Sequence, residues 1–204
     1  MLLRRLAPTL GFHAVDLFIL AGRAVPNDLA PLDATAAKWA ASMVTDAVRL
    51  SEAGRCELLQ LIRSLPQEER RSSFAPKPLV PLVGGPGSWA IRMLQYRNLN
   101  WMGIARALAF VTPTYLSAAT YGVIGSGRKE LTPGLVTDLA ALLGIDACEL
   151  AALTGVSLRK MPPPPSPEAM DAAVLLWEAR RLSAVQALNV SELTRSLRGD
   201  SQDR

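Results

Sequence analysis

The sequence predicts an all-α protein, and three observations support this prediction. Half of the 204 residues are hydrophobic while only 5% are aromatic, a balance typical of helical proteins rich in alanine and leucine. Apolar residues recur at spacings of three and four along several segments, which is the period of an amphipathic helix. Prolines cluster at 66–88 and at 162–165, so they mark breaks between these segments.

Residues 1–65 are predicted to form a small helical bundle with a sensing or docking role. Three segments carry the helical pattern: 15–24, 35–50 and 51–65. Asp33 or Thr35 can cap the start of the second helix, and Pro66 stops the third. The joints are short, as expected for helices that pack on one another.

Two breaks divide the chain. The stretch 66–88 is rich in proline and glycine and is predicted to be a linker. The four-proline run that follows Met161 favours an extended spacer. The predicted regions are an N-terminal helical region at 1–65, a linker at 66–88, a central domain at 89–158, and a proline spacer, C-terminal helix and polar tail at 159–204.

The central region begins with a short predicted helix. Asn100 can cap a helix that starts at Trp101. Its apolar face is formed by Ile104, Ala105 and Leu108. A tight turn is expected at 109–111, because a second helix start follows directly.

That second start is Thr112-Pro113. The threonine supplies a capping hydroxyl, and proline is favoured at the first position of a helix. The new helix is expected to run to Tyr121 and to end at Gly122, since glycine commonly terminates helices. Two short helices joined in this way form a helix-turn-helix, a motif that reads DNA.

This segment resembles the Cro/CI family of phage repressors, also called the xenobiotic-response-element (XRE) type. The family pattern of the two motif helices is matched by Ile104-Ala105, Leu108 and Val111-Thr112-Pro113-Thr114-Tyr115-Leu116-Ser117. Its closing pattern is matched by Leu131-Thr132-Pro133, Leu139-Ala140, Leu142-Leu143-Gly144-Ile145 and Glu149-Leu150. The resemblance implies a repressor-like helix-turn-helix domain of four or five helices over about residues 90–155, placed between the N-terminal bundle and a long C-terminal helix.

The resemblance also implies a function, that of a sequence-specific transcriptional regulator that binds double-stranded DNA, as a homodimer. The implied base contacts are Thr112, Pro113, Thr114, Ser117 and Tyr121. The implied phosphate contacts are Asn100, Trp101, Arg128 and Lys129. Other roles are open at several positions: Thr112 caps a helix whatever the function, Tyr121 could simply be packed, and Arg128-Lys129 could be a solvated pair.

The C-terminal region predicts a helix that starts well, because Ser166 can cap it and Pro167 follows. Its apolar positions are candidates for a dimer interface: Met170, Val174, Trp177 and Leu188. Burial of these side chains against their own chain is the alternative. The N-terminal region is the candidate surface for a protein partner.

A second function class competes with DNA reading. The expected recognition helix contains no Arg, Lys, Gln or Asn, the usual readers of base edges. Residues 88–155 carry a net charge of only +1, and Trp101 stands where the family places a polar residue. The alternative is therefore a helical protein–protein interaction module that keeps the repressor fold without base reading.

No catalytic pattern is present, so we expect no enzyme, metal or cofactor. The glycine-rich stretch 122–130 lacks the spacing of a phosphate-binding loop, and His13 has no catalytic partner nearby in sequence. Cys56 and Cys148 lie outside metal-ligand spacing and are expected to be buried free thiols in a cytoplasmic protein. No apolar run is long enough to span a membrane.

Overall fold

The computed structural model of the protein describes residues 2–75 and 85–202, with side chains described through Arg198. The all-α prediction is confirmed, since this part of the chain contains α-helices and short 3-10 turns and no strand. The 3-10 turns are Pro8–Leu10, Asn27–Leu29 and Ala34–Ala36. The α-helices are α1 (Leu2–Leu6), α2 (Ala14–Leu20), α3 (Ala37–Ala47), α4 (Glu52–Ser64), α5 (Pro86–Tyr96), α6 (Trp101–Val111), α7 (Ala118–Gly125), α8 (Pro133–Leu143), α9 (Ala147–Thr154), α10 (Pro167–Ala179) and α11 (Ala184–Gln202).

The three predicted N-terminal helices are present as α2, α3 and α4. Asp33 caps the 3-10 turn that leads into α3, where its carboxylate accepts a hydrogen bond from the Thr35 backbone N–H at 2.8 Å. Ser51 caps α4 by accepting from the Gly54 N–H at 3.2 Å. These side chains satisfy amide groups that a helix start leaves without a partner.

The predicted linker is too long at its C-terminal end, because Pro86 already begins α5. Residues 66–75 contain no helix but are held on the protein. The Phe74 ring packs on Tyr96 with centroids 5.2 Å apart. The Arg70 guanidinium donates to four backbone carbonyl oxygens at 2.5–3.3 Å, those of Asn27, Ala30, Pro31 and Leu32. Residues 76–84 lie outside the described part of the chain.

The long C-terminal helix predicted from sequence is two helices, α10 and α11. The chain turns at Arg180–Ser183, where the Ser183 hydroxyl accepts from the Gln186 N–H at 3.3 Å and donates to the Glu68 carboxylate at 2.9 Å. A serine with these partners starts a new helix. Helix α11 continues to Gln202, into the predicted polar tail, while Asp203 and Arg204 lie outside the described residues.

One hydrophobic core runs through all of these regions, from Ala7 to Val190. Helix α3 lies at its centre, covered by α6, α10 and α11. Residues 41–47 of α3 are therefore buried on every side. The regions predicted at 1–65, 89–158 and 159–204 are stretches of sequence that share this core.

Helices α3 and α6 run parallel and in close contact. Two contacts join the helices, Ala41 with Gly103 and Ser42 with Arg106. A third, Arg49 with Phe110, follows in the same chain order just after the end of α3. A Cβ atom added at Gly103 would lie 3.4 Å from the Ala41 Cβ, so glycine allows the two backbones to approach. The predicted first motif helix is thus packed directly on the N-terminal region.

Two further expectations concern the surface. Both cysteines, Cys56 and Cys148, are exposed free thiols, so the expectation of buried thiols is wrong. Cys56 lies in α4 and Cys148 in α9. Among the described residues, no helix combines the length and apolar character needed to cross a bilayer.

Candidate nucleic-acid interface

The first helix of the motif is α6, and its predicted start is confirmed. Asn100 adopts an extended backbone conformation, and its side-chain oxygen accepts from the Gly103 N–H at 2.8 Å. Trp101, predicted as a phosphate contact with Asn100, is half-buried against the core. Asn100 itself is exposed, so this end of α6 is accessible.

The predicted turn at 109–111 is wrong, because α6 continues to Val111. The helix ends at Thr112, which is extended with φ −135° and ψ 167°. A residue before proline avoids the helical conformation, so Pro113 ends α6 instead of opening the next helix. The Thr112 hydroxyl donates back to the Leu108 carbonyl at 2.8 Å and caps no new helix.

The second motif helix is α7, which begins at Ala118 and not at Thr112. Ser117 is its cap, and the serine hydroxyl oxygen accepts from the Thr120 N–H at 3.3 Å. The connection at 112–117 is fixed to α8 by a short hydrogen bond from the Thr114 hydroxyl to Asp138. The two helices predicted as a helix-turn-helix are therefore α6 and α7, with a longer connection than expected.

This shift changes the environment of the predicted base contacts. Thr112, Pro113 and Thr114 lie in the connection, and the hydroxyls of both threonines are engaged within the protein. Ser117 is exposed at the start of α7. Tyr121 is fully buried, so in this structure its side chain cannot reach a base. Of the five, Pro113 and Ser117 remain exposed.

Tyr121 instead anchors α7 to the domain. Burial, followed by the nearby negative charge of Asp138, raises the pKa of its hydroxyl to about 12. The hydroxyl has no hydrogen-bond partner among the described residues. Ile124 and Gly125 are buried beside it on the same face, so this face of α7 is fixed to the core.

The opposite face of α7 carries only small or apolar side chains. Ala119 is exposed, and Gly122 and Val123 are half-buried. A Cβ atom added at Gly122 would meet nothing within 4 Å. The surface at the middle of α7 is therefore backbone and short side chains, which a ligand could approach closely.

Two cations follow α7 directly. Arg128 and Lys129 are exposed, and neither forms an ion pair within the part of the chain that the structure describes. The Arg128 Nε donates to the Ser126 hydroxyl at 3.0 Å, which leaves its terminal nitrogens unused by that bond. Both side chains are available to an anion.

The candidate dimer residues separate into two groups. Met170 and Val174 lie one turn apart on α10 and are exposed, and Leu188 on α11 is half-buried. Trp177 is occupied within its own chain, since its ring stacks on His13 with centroids 3.5 Å apart and lies 3.7 Å from the Arg180 guanidinium. Trp177 is therefore removed from the candidate interface.

Beside Trp177 lies a buried ion pair that the sequence did not reveal. The guanidinium of Arg97, at the end of α5, donates two hydrogen bonds to the Asp16 carboxylate at 2.9 and 2.8 Å. Both side chains are 0% exposed. These residues lie 81 positions apart in sequence, so no local pattern connects them. The pair joins α2 to the end of α5.

No group of three or more His, Cys, Asp or Glu side chains that could hold a metal ion occurs in the described ranges. Comparisons with protein-family models, with curated proteins and with solved structures found no significant match to this chain.

Proposed function

We propose that the protein is a DNA-binding transcriptional regulator that uses α6 and α7 as its helix-turn-helix. The observation that carries the proposal is the open outer face of α7, bounded by Ser117 before it and by two exposed cations after it. Phosphate contacts from Arg128 and Lys129 would position the helix. The absence of long side chains at Ala119 and Gly122 would let α7 lie deep in a major groove.

In this proposal the base contacts differ from those implied by the sequence. Ser117 and Thr120 supply hydroxyls at the start of α7, while Ala119 and Val123 can contact a thymine methyl. Asn100 at the start of α6 is the third phosphate contact. The short, uncharged face favours a small number of base contacts per copy.

Two copies would double those contacts. Met170 and Val174 supply the exposed apolar surface for a homodimer. Sedimentation of the wild type and of the double variant Met170→Glu/Val174→Glu tests this. A dimer in the wild type that becomes a monomer in the variant is expected, and a monomeric wild type at binding concentrations contradicts the dimer.

The experiment that tests DNA binding is fluorescence anisotropy against genomic fragments across a salt series. Removing one cation that binds a phosphate reduces the slope of log K against log salt by about 1. The variant Arg128→Glu/Lys129→Glu is therefore expected to weaken binding and to reduce the slope by about 2. The matched control Arg23→Glu/Arg195→Glu makes the same charge change at exposed positions outside the motif.

The second candidate function is a protein interaction module, favoured by the lack of any Arg, Lys, Gln or Asn side chain in α7. The same experiment separates the two. Binding at low salt that depends on Arg128 and Lys129 supports the regulator. No binding at low salt, or equal weakening by the control variant, supports the interaction module instead.

A further inference from the structure

The surface formed by α6 and the residues at the two ends of α3 has an unusual composition. Its exposed side chains are Lys38, Arg49, Met102, Arg106 and Phe110, and we call this set the basic-apolar face. Met102 is 68% exposed and Phe110 46% exposed. All five side chains are cationic or apolar, which distinguishes this face from an ordinary mixed surface.

No acidic side chain on these two helices neutralises the face. Helix α6 has none at all. The single acid in α3 is Asp46, which is buried and paired with Arg198 at 2.5 Å. The positive charge of Lys38, Arg49 and Arg106 is therefore uncompensated by acids of α3 and α6.

The face is held in place by its own contacts. The Arg49 guanidinium lies 5.1 Å from the centre of the Phe110 ring, and Arg106 donates to the Ser42 hydroxyl at 2.9 Å. Lys38 lies over Trp39 at 4.7 Å. These contacts restrain long side chains before any partner arrives, which reduces the entropy cost of binding.

We propose that the basic-apolar face binds an acidic amphipathic helix of a protein partner. Met102, Arg106 and Phe110 follow one another at intervals of four along α6, so the apolar ends lie about 12 Å apart with a cation between them. A helix with apolar residues at spacings of three and four and carboxylates beside them matches this pattern in both shape and charge. This inference does not rest on the proposed DNA binding.

Other occupants fit less well. Duplex DNA offers phosphates to the cations but no extended apolar surface to cover Met102 and Phe110. A second copy of the chain in a symmetric dimer would set this face against itself, and like charges would meet. An acidic amphipathic helix offers carboxylates to the cations of the face and apolar side chains to Met102 and Phe110.

The test is selection of a phage-displayed library of random peptides on the full chain, with counter-selection on the variant Arg49→Glu/Arg106→Glu. Enrichment of acidic amphipathic sequences is expected. A synthetic peptide of the enriched sequence should bind that variant about tenfold or more weakly, equivalent to about 1.4 kcal/mol. The control Arg23→Glu/Arg195→Glu should change affinity by less than about twofold.

Met102→Ala tests the apolar component without disturbing the core, because this side chain is mostly solvent-exposed. It should weaken binding of the peptide severalfold and leave the melting temperature unchanged.

The proposal is overturned by enrichment of sequences without acids, by no enrichment that depends on Arg49 and Arg106, or by equal weakening of peptide binding in the control variant. It is also overturned if Arg49→Glu/Arg106→Glu abolishes the binding of duplex DNA or of phosphatidylserine vesicles but weakens the binding of no peptide. Arg128→Glu/Lys129→Glu should leave peptide binding intact, which separates this inference from the DNA-binding proposal.

Discussion

At the scale of single residues, a group of polar side chains surrounds the half-buried ring of Trp177. His13 stacks on this ring, Arg180 lies against it, and the Arg97 guanidinium lies 4.8 Å from its centre. Asp16 completes the group through its ion pair with Arg97. Charges removed from water in this way are stable only while each has its partner.

Replacing one partner of the ion pair should therefore lower the free energy of unfolding more than replacing both partners. Arg97→Met leaves the Asp16 carboxylate buried without a cation and should lower the free energy of unfolding by about 3–5 kcal/mol. The double variant Asp16→Leu/Arg97→Met should recover a large part of that stability. Urea unfolding monitored by tryptophan fluorescence measures both. A double variant no more stable than the single variant would contradict this account.

His13 makes stability depend on pH. Burial, followed by the positive charges of Arg97 and Arg180, lowers the pKa of its imidazole from 6.5 to about 3. Between these two values the unfolded chain binds a proton that the folded chain does not, so stability falls as pH falls. Because the ring is partly exposed, we expect stability to decrease by about 1–2 kcal/mol from pH 7 to pH 5.

The matched control for His13 is His13→Asn, which keeps a capping side chain but does not titrate in this range. Its urea unfolding curves should show a smaller decrease in stability between pH 7 and pH 5 than the wild type. Asp28 and Asp33 have pKa values below their ordinary 3.8 and titrate outside this window. If the stability of the two proteins decreases equally between pH 7 and pH 5, His13 is not the cause of the pH dependence.

At the scale of helices, glycine decides how closely α5 and α7 approach. A Cβ atom at Gly87 would lie 2.5 Å from the Ile124 carbonyl oxygen and 2.9 Å from the Ile124 Cγ2. In a close-packed interior, displacing the Ile124 backbone or its buried side chain costs free energy. The position of α7, and with it that of the candidate interface, depends on the absence of a side chain at Gly87.

The two glycines Gly87 and Gly122 form a matched pair for mutation. Gly87→Ala should destabilise the protein by about 1–3 kcal/mol, because it overpacks the contact between α5 and α7. Gly122→Ala adds the same methyl group in open space on a helix and should stabilise by about 0.5–1 kcal/mol. Thermal unfolding compares them, and a destabilised Gly122→Ala would mean that the outer face of α7 is covered.

The helix starts show how far sequence alone can go. Asn100, Ser51 and Ser166 are recognisable caps, because a polar residue precedes an apolar pattern, and all three cap helices here. The start of α7 is misplaced by sequence reasoning because Thr112-Pro113 and Ser117 both have the chemistry of a helix start. The choice depends on Asp138, which binds the Thr114 hydroxyl from another helix. That contact is tertiary, so no local pattern could reveal it.

At the scale of the whole molecule, the region predicted as a domain at 89–158 is not independent of the rest of the chain. Asp16 on α2 compensates the charge of Arg97, and α3 covers one side of α6. Sequence composition indicates a boundary at 66–88, yet the core passes across it. Contacts between segments far apart in sequence decide whether the two sides share one core, and the positions of prolines do not reveal such contacts.

A fragment of residues 89–158 should therefore fail to fold cooperatively. It would expose the side of α6 that packs on α3 and would leave Arg97 without its carboxylate. Circular dichroism melting and a proton–nitrogen correlation spectrum would show a broad transition and poor dispersion. The full chain is the control, and a well-dispersed fragment spectrum with a sharp melt would restore the picture of an autonomous domain.

The position of α3 also has a consequence for synthesis. Asp46 pairs with Arg198, a residue 152 positions later, and α11 covers the helix that carries Asp46. While the ribosome is still translating the middle of the chain, α3 has no cover on that side. Exposed apolar surface of this kind is a binding site for chaperones and a route to aggregation. We expect the core of the nascent protein to close when α11 emerges and packs on α3, rather than when α6 and α7 are complete.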